Sequence, residues 1–230
     1  MVDKIYEIVN SGVCSYSPKM FNPEEVFSWE ELEILINNTA FSNTSRVQVF
    51  GAKPYSWEEY AWGSDINSWP TEILGEILEN SLVVVSDASR VSKPINLIAG
   101  TLEKASKGAA DLHIFASLKE GLPHPFEIHW DYSSNFIVQV EGISDWVLWD
   151  TLGVEGGVQN LNELESYKYL GTPSVRCTME PGDVLYVPKG CWHGVTSSNR
   201  RMSLSFPIKD VGKNPNVRSR YWIDLISDKK

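Results

Sequence analysis

The chain carries four histidines, His113, His124, His129 and His193, and two of them stand where metal chemistry would need them. His129 and Asp131 form an H-x-D pair in "FEIHWDYSSNFIVQVEG", at the head of an apolar run. Residues two apart in an extended chain project from the same face, so both side chains can converge on one point. His193 follows "EPGDVLYVPKGCW", a Pro-Gly turn, an apolar strand and a second Pro-containing turn. That path can return a third ligand to the first two across a sheet. Two neutral imidazoles and one carboxylate on one side of an ion leave its opposite positions open. Such a set suits non-haem Fe(II), which needs free positions for a co-substrate and for O2. An H-x-D pair by itself arises often by chance; the segment bearing His193 gives it weight.

Neighbouring residues divide by the same alternation. Trp130 and Tyr132 fall between the ligands and should point away from them. Cys191 would occupy an open position if it were a fourth ligand, so it is read as packing. His124, between two prolines in "LPHPF", reads as a rigid loop residue. Ser28, Ser56 and the other hydroxyls lack a His/Asp partner pattern, which leaves nucleophilic catalysis without support. No glycine-rich phosphate loop is present.

The elements that must hold these residues fall into two textures. Up to Gly108, helical and strand signals mix. "FSWEELEILINN" opens on Ser28 with Glu31 three residues on, a capping box. "SRVQVFG" alternates like a strand and "SLVVVSDAS" reads as a buried one. "SWEEYAWG", "SWPTEILGEILENS" and "PINLIAGTLEKASKG" read as helices, the last stopped by Gly108. Beyond it short strands dominate: "ADLHIFASL", "NFIVQVEG", "SDWVLWDT", "SVRCTMEPGDVLYVPKG" and "RMSLSFPI", separated by Gly and Pro corners. The pattern predicts a mainly β fold with α content: a double-stranded β-helix (jelly-roll, cupin-type) barrel with an N-terminal α/β portion packed on it.

Bulk properties narrow the function classes. At 230 residues, 42% hydrophobic and 22% charged, the chain can bury a sizeable core. A net charge of −10 argues against general nucleic-acid affinity, which needs clustered Lys and Arg; the one basic cluster, "KNPNVRSR", reads as a solvated tail. Three cysteines without CxxC spacing suit a reducing compartment. The first residues lack the apolar core of a signal peptide, and no run is long and apolar enough for a membrane span. The expectation is a soluble, cytoplasmic protein; a homodimer is an open expectation.

"HWDYSSNFIVQVEGISDWVLW" followed by "MEPGDVLYVPKGCWHGV" resembles the JmjC hydroxylases, especially the bacterial cupin-like group related to ribosomal-protein hydroxylases. The upstream order of "FSWEELEILI", "RVQVFG", "SWEEY", "SLVVVSDAS" and "INLIAGTLEKA" is similar to that group as well. The resemblance implies a domain over residues 21–208, with its α/β part about 21–108 and its barrel about 109–208. Residues 1–20 would precede it and residues 209–230 would form a C-terminal tail. It further implies Fe(II), 2-oxoglutarate as co-substrate and O2, with His129, Asp131 and His193 as ligands and catalytic residues.

One position departs from the family pattern. Two residues after the strand-ending Gly142, where the family usually places a Lys or Arg for the distal carboxylate of 2-oxoglutarate, stands Ser144. A hydroxyl brings no charge, and a charge-assisted bond is roughly twice as strong as a neutral one. Arg201, just before "MSLSF", is the candidate replacement, because other oxygenases of this chemistry take their basic anchor from the strand after the distal histidine. It reads equally as a solvated turn pair with Arg200. Asn135 matches a position that touches the co-substrate in some JmjC hydroxylases, and His113 can face the same cavity. The expected function is an Fe(II)- and 2-oxoglutarate-dependent dioxygenase hydroxylating a C–H bond of a protein, peptide or small molecule. Two alternatives stay open: a cupin-fold metalloprotein using the same triad without 2-oxoglutarate, and a non-catalytic binding module.

Overall fold

The computed structural model describes residues 1–37, 47–51, 71–89, 91–119, 128–197 and 200–210. The helix expected over "SWEEYAWG", His124 and the "KNPNVRSR" cluster lie outside the described residues. Two antiparallel sheets dominate. The larger runs in the order β1 (Ser15–Ser17), β11 (Val184–Val187), β7 (Ser134–Glu141), β13 (Arg201–Lys209), β5 (His113–Ser117), β3 (Ser81–Val85), β2 (Val47–Gly51), and the short β4 (Ala109–Ala110) pairs with β13. The smaller runs β10 (Val175–Met179), β8 (Ser144–Leu152), β12 (Cys191–Thr196), β6 (Ile128–His129), β9 (Asn160–Leu161).

The strand periodicity explains the layering. In β13, Met202, Leu204, Phe206 and Ile208 join a core on the outer face of the larger sheet, while Arg201, Ser203 and Ser205 line the space between the sheets. β7 is buried on both faces: Phe136, Val138 and Val140 face the outer core, and Ile137 packs inward with Leu148, Leu185 and Val195. Its near-continuous apolar run reflects burial on both sides, not a helix.

Helices cover that outer core: α1 (Val2–Ser11), α2 (Trp29–Asn37), α3 (Thr71–Asn80) and α4 (Lys93–Ser106). The Glu31 amide donates to Ser28 Oγ at 3.2 Å, so α2 begins where the capping signal predicts. α4 ends differently from expectation. Lys107, not Gly108, takes the left-handed conformation at φ 57°. The sequence motifs do not predict α1, although Ile5, Ile8 and Val9 mark one helical face and are buried. α5 (Glu163–Tyr169), also unexpected, is closed by an Asn162–Glu165 capping box. On the outer face of the smaller sheet, Trp130, Trp149, Leu161 and Trp192 form a third cluster.

Candidate metal centre

His129 and His193 are direct cross-strand partners in the β6–β12 pair, and directly opposed residues share a face. Their ring centroids lie 4.3 Å apart at 56°. Asp131 follows His129 by two residues, just past the strand. Its Oδ1 lies 4.0 Å from His129 Nε2 and its Oδ2 3.7 Å from His193 Nε2. One ligand atom from each of the three residues can be chosen so that all lie within 4.8 Å of one another. A register shift in β12 between Cys191 and Trp192 directly precedes His193, a common use of a bulge beside a functional site.

The local chemistry calls for a cation. His193 Nδ1 sits 2.9 Å from the Cys191 carbonyl; that oxygen only accepts, so Nδ1 carries the proton. Burial, reinforced by the neighbouring His129, pushes His193 down to about 4, so the imidazole is neutral at neutral pH. Its Nε2 lone pair therefore faces a carboxylate oxygen, acceptor against acceptor. Two imidazoles and a carboxylate within this reach of one another form a donor set that fits a divalent ion of the Fe(II) or Zn(II) kind. Asn135, from β7, donates Nδ2 to Asp131 Oδ2 at 2.6 Å and so fixes the carboxylate from the opposite sheet. Trp146 stacks on His193 at 6.0 Å and 26°. Trp130 and Tyr132 turn away, as their alternation predicts. The Trp130 indole donates to the Val158 carbonyl at 2.9 Å and packs over Gly153, where a Cβ would run into the ring.

The triad opens into a cavity of about 400 Å³ between the sheets, within the range of small-molecule sites. His129, His193, Trp146 and Val195 line it from the smaller sheet; His113, Phe115, Ile137 and Arg201 line it from the larger. Among the described residues Asp131 is its one acidic lining residue. Arg201 is only 4% exposed, and no ion pair or side-chain hydrogen bond engages its guanidinium among the described residues. Burial lowers it to about 10, so it stays charged at neutral pH. Its neighbour Arg200 goes the other way, to Glu141. A second bulge, between Met202 and Ser203 in the β13–β7 pair, separates Arg201 from the rest of the strand. His113 is also held down by burial, partly opposed by Asp111.

Ser144 is placed elsewhere. It is fully buried, is not among the cavity-lining residues, and donates to Gln139 Oε1 at 2.9 Å. Trp146 Nε1 donates to Ser144 Oγ at 3.0 Å, and Ser203 donates to the same Gln139 oxygen at 2.8 Å. Gln139 Nε2 in turn donates to the carbonyls of Glu141 and Gly142, at 2.7 and 3.3 Å. This closed network occupies the place where the sequence pattern asks for a basic side chain. The sequence motifs do not mark Gln139, Trp146 or the cavity-facing Ser203 and Ser205 as site residues. The serines had a signal, since "RMSLSF" alternates polar with apolar residues.

The JmjC domain model matches residues 99–214, half of the chain. The bifunctional lysine-specific demethylase and histidyl-hydroxylase NO66 of Culex quinquefasciatus is 26% identical over 142 residues, covering 60% of this chain and 21% of that protein. The protein of the same name from Dictyostelium discoideum is 21% identical over 201 residues, covering 87% of this chain and 37% of that one. Among solved structures, YcfD, a ribosomal oxygenase from Escherichia coli in complex with cobalt and 2-oxoglutarate, superposes with a TM-score of 0.56 at 17% identity, covering 94% of this chain and 52% of that chain. The chain thus spans a fifth to somewhat over a third of these curated relatives, and about half of that structure. No helix among the described residues is long and apolar enough to cross a membrane. With its cavity, its two sheets and a domain match over half its length, the chain belongs to the JmjC domain family.

Proposed function

We propose that the chain is an Fe(II)- and 2-oxoglutarate-dependent oxygenase that hydroxylates a C–H bond of a protein or peptide, with His129, Asp131 and His193 as metal ligands and Arg201 as the anchor for the co-substrate's distal carboxylate. One observation carries the reading: a single cavity holds two imidazoles and a carboxylate clustered as a donor set for a cation, and a buried guanidinium with no ion-pair partner among the described residues, suited to an anion. When bound, Fe(II) with 2-oxoglutarate and O2 supplies the oxidation of the C–H bond, with release of succinate and CO2.

The protein's own part is orientation and exclusion of water. His193 keeps Nε2 available because its Nδ1–H is committed to the Cys191 carbonyl. Asn135 holds one carboxylate oxygen of Asp131 and limits the rotation of that ligand. Arg201 presents parallel N–H donors that match a carboxylate in two bonds. Phe115, Ile137, Trp146 and Val195 give the cavity apolar walls that keep bulk water from the reacting groups. His113 adds a neutral hydrogen-bonding edge. The relatives' names, histidyl-hydroxylase, lysine-specific demethylase and ribosomal oxygenase, support a protein substrate, and the net charge of −10 favours a basic one. Three free thiols suit the cytoplasm.

The test is succinate formation from 2-oxoglutarate with Fe(II) under air, together with calorimetric binding of 2-oxoglutarate to the Co(II)-loaded protein. Absence of both overturns the reading. The Ser144–Gln139 network favours one alternative, a metal centre that does not use 2-oxoglutarate. In that case His129-dependent metal binding would persist, and anaerobic Fe(II) with 2-oxoglutarate would give no visible absorption band.

A further inference from the structure

All three cysteines of the chain converge on one cluster between the sheets, although they lie far apart in sequence. Cys191 is buried within it, and Cys14 and Cys177 pack against it half-buried. Cys14 directly precedes β1, whose Ser15 pairs with Tyr186 of β11. Cys191 opens β12 two residues before His193. The two sulfurs lie 3.2 Å apart in a shared hydrogen bond.

We infer that Cys14 and Cys191 are an oxidisable dithiol, a modification site at which a peroxide closes a disulfide next to the metal ligand His193. The sulfurs have about 1.2 Å to close to reach a bond of about 2.0 Å, a movement in which the chain at Cys191 takes part. Cys14 is the accessible partner, 177 residues away in sequence, and its hydrogen bond with Cys191 draws its pKa below the ordinary thiol value, the condition for attack on a peroxide. Cys177 is the poor competitor, because burial pushes it up to about 11.

The chemistry balances. The Cys14 thiolate attacks the peroxide O–O bond, forming a sulfenic acid and releasing the first water. The Cys191 sulfur then displaces the sulfenic hydroxyl, which leaves as the second water. Two electrons pass from the two sulfurs to one hydrogen peroxide, and both thiol protons end in water. The bond removes the Cys191 S–H proton that donates to the Trp149 carbonyl at 3.3 Å. It also moves the residue whose carbonyl holds His193 Nδ1 at 2.9 Å. Oxidation therefore loosens the orientation of a metal ligand, a kind of change that typically lowers metal affinity by about tenfold or more.

The experiment treats the full chain with hydrogen peroxide and maps peptides without reduction. The expected product is an intramolecular Cys14–Cys191 linkage, lighter by two hydrogens and reversed by a thiol reductant. Cys14→Ser should abolish it and Cys177→Ser should leave it. Linkage through Cys177, linkage between chains, or Cys14 oxidised to sulfinic acid without a cross-link would each overturn the inference. Co(II) titration of oxidised and reduced protein reads the consequence, an affinity about tenfold weaker after oxidation and unchanged by peroxide in Cys14→Ser. Equal affinities in both forms would refute the coupling to His193. That second arm rests on the metal reading above, whereas the cross-link is read by mass alone, so the two failures are distinguishable.

Discussion

Replacing Arg201 with methionine separates a structural arginine from a ligand anchor. Arg201 is 4% exposed, and its guanidinium has no ion-pair partner among the described residues. Burial holds it down to about 10, which corresponds to about 3 kcal/mol of unrelieved desolvation. Methionine keeps much of the stem's apolar volume and removes the charge. The ligand-free variant should therefore be as stable as the parent or more so, by up to about 3 kcal/mol. For a chain of this size each kcal/mol is worth about 2–4 °C in Tm. Binding should move in the opposite direction. Loss of a two-bond, charge-assisted grip on a carboxylate costs about 3 kcal/mol, which is about a hundredfold in Kd. Arg201→Lys, which keeps charge but not the planar fork, should fall between. The assays are thermal unfolding of the metal-free protein and calorimetry of 2-oxoglutarate on the Co(II)-loaded form. A variant that loses several kcal/mol without ligand would show Arg201 to be a structural group. A Kd within about threefold of the parent would remove the anchor assignment.

The other expectations concern the triad and its supports. Asp131→Ala should abolish Co(II) binding, read by its visible absorption, with a fall in Tm of only a few degrees, because relief of the acceptor facing His193 partly offsets the loss of the Asn135 bond, a loss of about 1–3 kcal/mol. Asn135→Ala, which frees the Asp131 carboxylate, should weaken Co(II) binding by about 10–100-fold while the far-ultraviolet circular dichroism stays unchanged; unaltered affinity would refute its orienting role. Gln139→Leu leaves the hydroxyls of Ser144 and Ser203 without their acceptor, so denaturant unfolding should show a loss of about 2–4 kcal/mol. Asp183 is almost fully buried; burial pushes its pKa up, but bonds from the Glu180 and Lys19 amides and the Tyr16 hydroxyl outweigh this and hold it below the ordinary carboxylate range. A depressed carboxylate stabilises above its unfolded pKa of about 3.9 and loses that contribution as pH falls through the folded value. The stability gap between parent and Asp183→Asn should therefore be widest near neutrality and shrink in acid, and a gap independent of pH would refute this.

How far the sequence could be read depends on the distance over which each signal acts. The His129–Asp131 pair is legible because strand alternation is local. His193 is legible because its turn–strand–turn lead-in is itself a local pattern. The tautomer of His193 is not legible, since it hangs on a bulge at Cys191 that arises only when β12 meets β8. The Cys14–Cys191 contact is invisible for the same reason, as it exists only once β1 has joined β11. Ser144 lies between these cases. Its identity flags a missing charge, yet only the folded sheet shows that Gln139 has taken its hydroxyl and that Trp146 encloses it. A lysine placed at position 144 would have to displace Trp146 Nε1 and break into the Gln139 network that also holds Ser203. The basic group that faces the cavity enters from β13 instead, past the bulge at Met202. Among the described residues Arg201 is the one Lys or Arg that lines the cavity, while Ser144 is tied up with Gln139. Ser144→Lys alone should therefore lower stability without strengthening 2-oxoglutarate binding, whereas in Arg201→Met the same lysine has an unmet anion to hold. Recovery of affinity only in the double variant, measured by calorimetry, would establish that exchange; a gain in the single variant would refute it.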